Sequence, residues 1–589
     1  MRELWSGNEA TARGIYEAGV KVGSSYPGTP STEIFENLEH YDDVYSEWAV
    51  NEKVALEVAY GASIGGVRAV TAMKHVGLNV AADPLFTASY NGVNAGFVVI
   101  TADDPSMHSS QNEQDNRHYA VAAKIPMFEP SDSQDSLDMI KEAFNVSETF
   151  DTPVLFRTTT RICHSKSIVE PGEKQDVPVV PYEKKAAKYV TTPANSYARR
   201  PLVEQRMRDL AEYAETSRFN IVEMNDTKVG VITSGIAYVY AKEVFPEDTS
   251  FLKLGFTYPM PEKLIRDFAS KVDTLYVIEE LDPFIENFVR TLGIDCIGKD
   301  KVPVMYELNP ERLREALFGE KAKFNALPEK VVARPPALCP GCPHRGLFVT
   351  LKKYKKAIVA GDIGCYTLGA APPLESIDCL VCMGGGFTLA HGLAKAIEMS
   401  GQEDRVIFGL VGDSTFFHSG MTGAAEIIYN KSENGVKVVP IVLDNNITAM
   451  TGQQENPGTG HRMKGEIASV VPIEKILEAI GFAKVLVVDP QDLKATKAAC
   501  DEAIESDEPT AIVTRRPCVL IKRIKHERRR CIVDRENCRK CKMCLKVGCP
   551  AVFFKDGKSF IDQTLCVGCT VCMQACPFDV ISLAKEATV

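Results

Sequence analysis

Eight cysteines in two closely spaced runs near the C-terminus constrain this chain more than any other feature. In each run three cysteines are separated by two residues, and a Cys-Pro pair follows. The runs are Cys538-x2-Cys541-x2-Cys544-x4-Cys549-Pro550 and Cys566-x2-Cys569-x2-Cys572-x3-Cys576-Pro577. Thiolates at this spacing wrap iron–sulfur clusters. Two alternatives fit less well, because the spacing cannot close good disulfide geometry and zinc knuckles lack the threefold run.

This tail resembles a bacterial-type ferredoxin with two [4Fe–4S] clusters, in which the fourth cysteine of each run binds the other cluster. The resemblance implies the ligand sets Cys538, Cys541, Cys544 and Cys576 for one cluster and Cys566, Cys569, Cys572 and Cys549 for the other. The gap of four residues before Cys549 departs from the usual three. We therefore expect the protein to move single electrons.

Composition limits the location and partners of the protein. Its 589 residues predict three to five domains, and a net charge of −11 argues against nucleic-acid binding. No apolar stretch is long enough to span a membrane, and the first residues lack the pattern of a signal peptide. A chain with eighteen cysteines, many of them predicted metal ligands, indicates a reducing compartment. We expect a cytoplasmic protein without a membrane or nucleic-acid partner.

A candidate metal site lies between two strands of an α/β segment. The strand predicted at 405–410 leads into Gly412, Asp413 and Ser414, and the strand predicted at 438–443 ends before Asn445. Successive parallel strands bring their carboxyl ends to one edge of a sheet. A carboxylate, an amide oxygen, a backbone carbonyl and phosphate oxygens suit Mg²⁺, and Gly412 lets the backbone approach phosphates. A lone Gly-Asp-Ser would instead be an ordinary strand-end turn.

The pairing of these segments resembles the thiamine-diphosphate motif. The resemblance implies that Asp413 and Asn445 bind Mg²⁺ through side chains and Ile447 through its carbonyl, while Ser414 replaces the usual third glycine. Gly384 and Gly385, before a predicted helix, are expected to face the diphosphate. Their alternative role is to let a helix start pack closely on a strand.

The cofactor also needs a carboxylic acid at its pyrimidine ring. Glu52 begins a predicted helix, and Thr29 lies in the turn Tyr26-Pro27-Gly28-Thr29-Pro30. This segment resembles the pyrimidine domain of 2-oxoacid:ferredoxin oxidoreductases, in which the matching Glu bonds to the pyrimidine and the Thr faces the substrate. A Glu in a first helical turn is otherwise usually there because it suits the helix dipole.

The resemblance then covers nearly the whole chain and implies its fold class. We expect a multidomain α/β thiamine-diphosphate enzyme with doubly wound parallel sheets and a C-terminal α+β bacterial-type ferredoxin domain. The expected divisions are a pyrimidine-binding domain at 1–165, a linker arm at 166–225, a transketolase C-terminal-like domain at 226–327, a diphosphate and Mg²⁺ domain at 328–525, and a two-cluster ferredoxin domain at 526–589.

The resemblance also implies a reaction and partners. The reaction is the oxidative decarboxylation of a 2-oxo acid with coenzyme A as co-substrate, and electrons pass to an external ferredoxin. A small β (γ-type) subunit is expected, with the large subunits pairing as α2β2. The alternatives outside the family are a non-oxidative thiamine decarboxylase and a pure electron-transfer subunit.

Two features bear on the substrate. The fused order of domains, with the motif at 338–345, resembles the arylpyruvate enzymes of the family, and this resemblance implies arylpyruvates such as indolepyruvate rather than pyruvate or branched-chain 2-oxo acids. Related pyruvate enzymes hold the substrate carboxylate with an Arg soon after the strand that matches 97–101, and this chain has no Arg there. His108 in that stretch is either a pocket residue or a surface-loop residue.

Four further cysteines predict a third [4Fe–4S] cluster. They fall where the pyruvate enzymes hold the cluster nearest thiamine, at Cys339, Cys342, Cys365 and Cys518. Two observations argue against it. Pro343-His344 replaces the glycine usual after the second cysteine, and Cys379 and Cys382 form a competing pair.

Overall fold

The computed structural model describes residues 2–321, 332, 335–402, 404–431, 435–524 and 529–584. The chain divides into two compact units, Met1–Pro328 and Glu329–Val589. The domain boundaries predicted at 327/328 and 525/526 lie outside the described residues.

A seven-stranded sheet forms the centre of the first unit. Its order is β12-β6-β7-β5-β4-β2-β3, and all neighbours are parallel except β12 and β6. The strands are β2 (Val22–Ser25), β3 (Tyr45–Trp48), β4 (Ala69–Lys74), β5 (Phe97–Asp103), β6 (Met127–Phe128), β7 (Val154–Thr159) and β12 (Phe256–Tyr258). Strands β4, β5 and β7 are buried along their whole length, as expected for a parallel sheet covered on both faces.

A four-stranded sheet of order β13-β10-β11-β9 follows, in which only β9 runs antiparallel to its neighbour. Its strands are β9 (Asn220–Glu223), β10 (Val229–Ser234), β11 (Ser250–Leu254) and β13 (Thr274–Ile278). A separate antiparallel pair joins β1 (Glu3–Ser6) to β8 (Lys166–Val169). The predicted linker arm at 166–225 thus contains two paired strands, β8 and β9.

Side-chain caps start several helices of the first unit. Ser6 forms a capping box with Glu9, and Asn51 accepts from the Val54 amide at the start of the helix that carries Glu52. The helices are α1 (Gly7–Glu17), α2 (Thr32–Leu38), α3 (Glu52–Ile64), α4 (His75–Val80), α5 (Ala82–Asn91), α6 (Arg117–Ala123), α7 (Ser133–Thr149), α8 (Thr160–His164), α9 (Ala186–Tyr189), α10 (Pro193–Thr216), α11 (Ile236–Val244), α12 (Glu262–Ala269), α13 (Phe284–Thr291) and α14 (Pro310–Phe318).

The second unit is built on a five-stranded, fully parallel sheet of order β14-β15-β16-β18-β17. The strands are β14 (Ala357–Ala360), β15 (Val406–Gly412), β16 (Lys437–Asp444), β17 (Lys484–Val488) and β18 (Thr510–Arg515). Its helices are α15 (His344–Leu351), α16 (Gly385–Met399), α17 (Asp413–Thr415), α18 (Met421–Tyr429), α19 (Ile473–Ile480) and α20 (Leu493–Glu505). A π-helical turn at Phe416–Gly420 joins α17 to α18.

The cysteine-rich tail is a small α+β element of the same unit. Two antiparallel pairs join β19 (Cys531–Val533) to β22 (Ile581–Leu583) and β20 (Val552–Lys555) to β21 (Lys558–Ile561). A short helix, α21 (Val571–Gln574), carries Cys572 of the second run. The expected α/β class, with parallel sheets and an α+β tail, is confirmed. Among the described residues, no helix combines the length and the apolar character that crossing a membrane requires.

Candidate active site

Three oxygen atoms of the predicted metal ligands converge at the carboxyl edge of the second unit's sheet. Gly412 of β15 pairs in register with Leu443 of β16, so the residues that follow the two strands are neighbours. The outer end of the Asn445 side-chain amide, where the structure has the amide oxygen, faces two other oxygens. It lies 3.1 Å from Asp413 Oδ1 and 2.7 Å from the carbonyl oxygen of Ile447. An amide nitrogen in this position would donate to both oxygens, whereas an amide oxygen there, as metal binding requires, needs a cation among the three.

The burial of Asp413 also calls for a cation. Its side chain is 3% exposed, and burial together with the nearby Asp444 raises the pKa of the carboxyl group. Asp413 Oδ2 accepts hydrogen bonds from the amide of Ile447 at 3.2 Å and from Asn456 Nδ2 at 3.4 Å, while Oδ1 faces the Asn445 amide. The donor set therefore fits an octahedral Mg²⁺ that takes its remaining ligands from a diphosphate.

His344 contacts the side-chain amide of Asn445. Its ring is buried, and burial lowers its pKa to about 4, so the ring is neutral and one nitrogen can accept a hydrogen bond. Asn445 Nδ2 lies 3.5 Å from His344 Nε2. Turning the amide by 180° would keep a contact if Nε2 carries the ring proton, and it would create hydrogen bonds to Asp413 and Ile447. In the sequence, His344 stood out only because Pro343-His344 replaces the glycine usual after the second cysteine of the third-cluster motif.

The predicted glycines serve different purposes. At Gly412 a side chain would collide with the ring of Tyr366, whose hydroxyl accepts from the Gly412 amide at 3.0 Å. Gly384 has a φ of 76° and donates its amide to Asp362 at 2.8 Å, directly before α16. Gly386 of α16 packs against the carbonyl of Leu410 in β15, so this glycine allows the helix to pack closely on the strand. Gly384 and Gly385 remain predicted diphosphate contacts at a helix start.

The four cysteines predicted for a third cluster lie near one another and near Asp413. Burial raises the pKa of the Cys365 thiol to about 11, with further contributions from Cys518, Cys339 and Asp413. Burial likewise raises the pKa of Cys342 to about 12, and Cys365 and Cys339 add to it. The amide of Cys518 donates to the carbonyl of Asn445 at 2.9 Å, which places this thiol beside the metal site.

The competing pair has a different setting. Burial raises the pKa of the Cys379 thiol, and the negative charge of Asp378 adds to this effect. Burial also raises the pKa of the Cys382 thiol, to which the charge of Asp362 adds. Cys382 is exposed, next to the glycines before α16. The environment of Cys339, Cys342, Cys365 and Cys518 suits a cluster better, because thiols surround thiols there.

Thiols from the two tail runs are neighbours of one another. Burial raises the pKa of Cys544, with Cys576 and Cys541 as neighbours, and Cys538 shares Ser559 with it as a hydrogen-bond partner. Burial also raises the pKa of Cys569, to which Cys549 and Cys566 contribute. Gly548, directly before Cys549, has a φ of 68°, a backbone conformation that favours glycine. The full ligand sets stay predictions.

In the first unit, Glu52 is the buried first residue of α3. A side chain at Gly77 would approach Glu52 Oε1 to 2.7 Å, so this glycine leaves room for the carboxylate. Thr29 is half-buried, and its carbonyl accepts from Ser109 Oγ at 3.5 Å. His108 is half-exposed and lies 3.1 Å from Glu307, as a surface-loop residue does.

A cation that the sequence analysis missed lies beside Thr29. Lys74 ends β4 and is 9% exposed, its Cβ packs against Gly28, and its Nζ donates to the carbonyl of Ser109 at 2.6 Å. Burial lowers its pKa to about 8, while Asp104 acts in the opposite direction. A protonated amine with neutral hydrogen-bond partners can receive a carboxylate. In the sequence, the position of Lys74 at the end of a predicted strand was the one feature that could have indicated this role.

Three known domain families match the chain. Residues 13–229 match the thiamine-diphosphate-binding domain of pyruvate flavodoxin/ferredoxin oxidoreductases, and residues 362–514 match the C-terminal thiamine pyrophosphate-binding domain of thiamine pyrophosphate enzymes. Residues 560–582 match the 4Fe-4S binding domain. Together these matches define a thiamine-diphosphate-dependent oxidoreductase with an iron–sulfur domain.

Full-length relatives give a narrower result. The indolepyruvate oxidoreductase subunit IorA of Archaeoglobus fulgidus is 40% identical over 98% of this chain and 97% of its own length. The IorA subunit of Thermococcus kodakarensis is 40% identical over 99% and 97%. A solved 2-oxoglutarate:ferredoxin oxidoreductase from Magnetococcus marinus covers 53% of this chain and 64% of its own, with 17% identity and a TM-score of 0.45. The chain belongs to the indolepyruvate oxidoreductase IorA family, which confirms the predicted membership of the 2-oxoacid:ferredoxin oxidoreductases.

Proposed function

We propose that this chain is the catalytic subunit of an enzyme that oxidatively decarboxylates arylpyruvates, indolepyruvate first among them, to acyl-coenzyme A. Electrons leave through iron–sulfur clusters to an external ferredoxin. One observation carries the proposal. The oxygen triad of Asp413, Asn445 and Ile447 adjoins the thiols of Cys365 and Cys518, which supports a diphosphate site and an electron-acceptor site at one edge of one sheet.

The roles of the residues follow from their positions. We assign Mg²⁺ to Asp413, Asn445 and the carbonyl of Ile447, and we assign the proton relay at the pyrimidine ring to the carboxylate of Glu52. Bound thiamine diphosphate supplies a nucleophilic carbon and an electron sink for decarboxylation. Thr29 and Lys74 lie on the edge that carries Glu52, where a hydroxyl and an amine suit the carboxylate of a 2-oxo acid.

An anaerobic substrate panel tests the activity. We expect dye or ferredoxin reduction that depends on coenzyme A and is fastest with indolepyruvate, followed by phenylpyruvate, with pyruvate and 2-oxoisovalerate slower. Preference for pyruvate or 2-oxoisovalerate would contradict the arylpyruvate assignment. Release of CO₂ without dye reduction would instead identify a non-oxidative decarboxylase.

The third cluster is testable by iron analysis. A fully loaded preparation should contain about twelve iron atoms per chain, since each [4Fe–4S] cluster adds four. Cys339→Ser should lower the count to about eight, because it removes one thiolate from the set. Cys500→Ser is the matched control, since Cys500 is a buried cysteine of α20 that belongs to none of the predicted ligand sets. A wild-type count of about eight, unchanged by Cys339→Ser, would contradict the third cluster.

A second subunit should be required for full turnover. We propose a small β (γ-type) chain of roughly one domain that helps to engage coenzyme A, and pairing of the large chains as α2β2. The chain purified alone should bind thiamine diphosphate and iron yet show little coenzyme A-dependent dye reduction. Adding the small subunit should restore it. Full coenzyme A-dependent activity of the isolated chain would disprove the requirement.

A further inference from the structure

Arg345 is a buried cation in an unusual setting. It is the second residue of α15, and its side chain is only 1% exposed. One terminal nitrogen, Nη1, donates to the carbonyls of Val547 and Gly548 at 3.1 and 2.5 Å. The other, Nη2, donates to the carbonyls of Leu338 and Cys339 at 2.6 and 2.9 Å. The guanidinium thus joins the loop that carries Cys339 to the tail loop before Cys549.

No carboxylate balances this charge in the part of the chain that the structure describes. All four hydrogen bonds of Arg345 end on neutral backbone carbonyls, and its Nε has no partner. A guanidinium taken out of water without an anion is strongly destabilising, and buried arginines are accordingly found with an anionic partner. The anion that would balance Arg345 must therefore come from something else beside it.

Thiols flank Arg345 on both sides. Nη2 bonds to the carbonyl of Cys339 on one side, and Nη1 bonds on the other side to the carbonyl of Gly548, the residue directly before Cys549. These two cysteines belong to different predicted cluster sets. Both sets become anionic when their thiols are deprotonated and bind iron.

Direct packing holds the two sets together. A side chain at Gly341, between Cys339 and Cys342, would come within 2.1 Å of Val567, which lies between Cys566 and Cys569. Gln491 Nε2 donates to the carbonyl of Gly341 at 2.8 Å, and Gln574 of α21 donates to the carbonyl of Gln491 at 2.7 Å. Hydrogen bonds through Gln491 therefore connect the two loops in addition to their direct packing.

We infer that Arg345 is the shared counter-charge of two adjacent iron–sulfur sites and the positioning residue that fixes their spacing. One site is the set of Cys339, Cys342, Cys365 and Cys518. The other is the tail set of Cys549, Cys566, Cys569 and Cys572, which makes this tail cluster the neighbour of the third cluster. The inference rests on the proposed function, because it requires the third cluster.

Reduction potentials test the charge, and hydrogen bonding alone would not produce the same result. In the complete, anaerobically purified enzyme, Arg345→Met should shift two clusters to lower reduction potential, because a reduced cluster is more negative and loses a nearby positive charge. Arg345→Lys should keep most of the wild-type potential. The readout is a redox titration followed by electron paramagnetic resonance, with iron content measured in parallel. Arg535→Met is the control, since Arg535 contacts Lys555 and Asp556 in the tail instead.

Each outcome of these measurements either supports or overturns the role of Arg345. If Arg345→Met loses iron while Arg345→Lys retains it, the counter-charge is supported even without a titration. Equal potential shifts, or equal loss of iron, in both variants would assign Arg345 to hydrogen bonding alone and overturn the inference, as would unchanged potentials in Arg345→Met. A wild-type count of about eight iron atoms would refute the third cluster, and the shared role with it, before any variant of Arg345 is made.

Discussion

Asp413→Ala should purify with its iron–sulfur colour but without thiamine diphosphate or Mg²⁺. The substitution removes one of three protein oxygens from an octahedral site that has no spare ligand. Loss of groups that merely orient metal ligands costs about 10–100-fold in affinity, so loss of a ligand itself should cost more than about 100-fold. Activity should fall to background. Cofactor and metal content, measured beside the visible spectrum, give the readout.

Asn445→Ala should behave in the same way, because its amide oxygen is the second member of the triad. Asn430→Ala provides a matched control, since this exposed Asn follows α18 of the same unit and its side-chain amide donates to Glu426. The control should keep both cofactors. Retention of bound thiamine diphosphate by both Asp413→Ala and Asn445→Ala would remove the basis for the metal assignment.

Glu52→Gln should bind thiamine diphosphate normally and yet lose turnover by about 10²–10⁴-fold, the usual contribution of a positioned acid–base group. Gln has nearly the shape of Glu, so it fits the space left by Gly77, but an amide cannot relay the ring proton. Cofactor content and single-turnover reduction of the clusters, both measured on the complete enzyme, separate binding from chemistry.

Glu57→Gln is the matched control for this variant. Glu57 lies on the same helix, α3, and is exposed, where it pairs with Lys53. Its replacement should leave both cofactor content and turnover unchanged. Near-normal turnover of Glu52→Gln would refute the assignment of Glu52, whereas loss of cofactor from Glu52→Gln would assign it a role in binding.

The sequence by itself determined the class of the protein and the order of its parts. Iron–sulfur thiolates and strand-end metal ligands lie close together along the chain, so their spacing can be read without a fold. The runs that start at Cys538 and Cys566, and the pairing of Asp413 with Asn445, are local patterns of this kind. The family comparison agrees with that class.

Only the tertiary structure decided which distant residues meet. Asn445 contacts His344 across 101 positions, and Arg345 contacts Gly548 across 203. Strand β12 joins the seven-stranded sheet although it lies in a segment expected to be a separate domain. Such contacts depend on how whole sheets and loops pack, because loop closure brings together residues whose side chains carry no local signal. The charge balance around Arg345 is of this kind, and it becomes visible only when burial and partners are known.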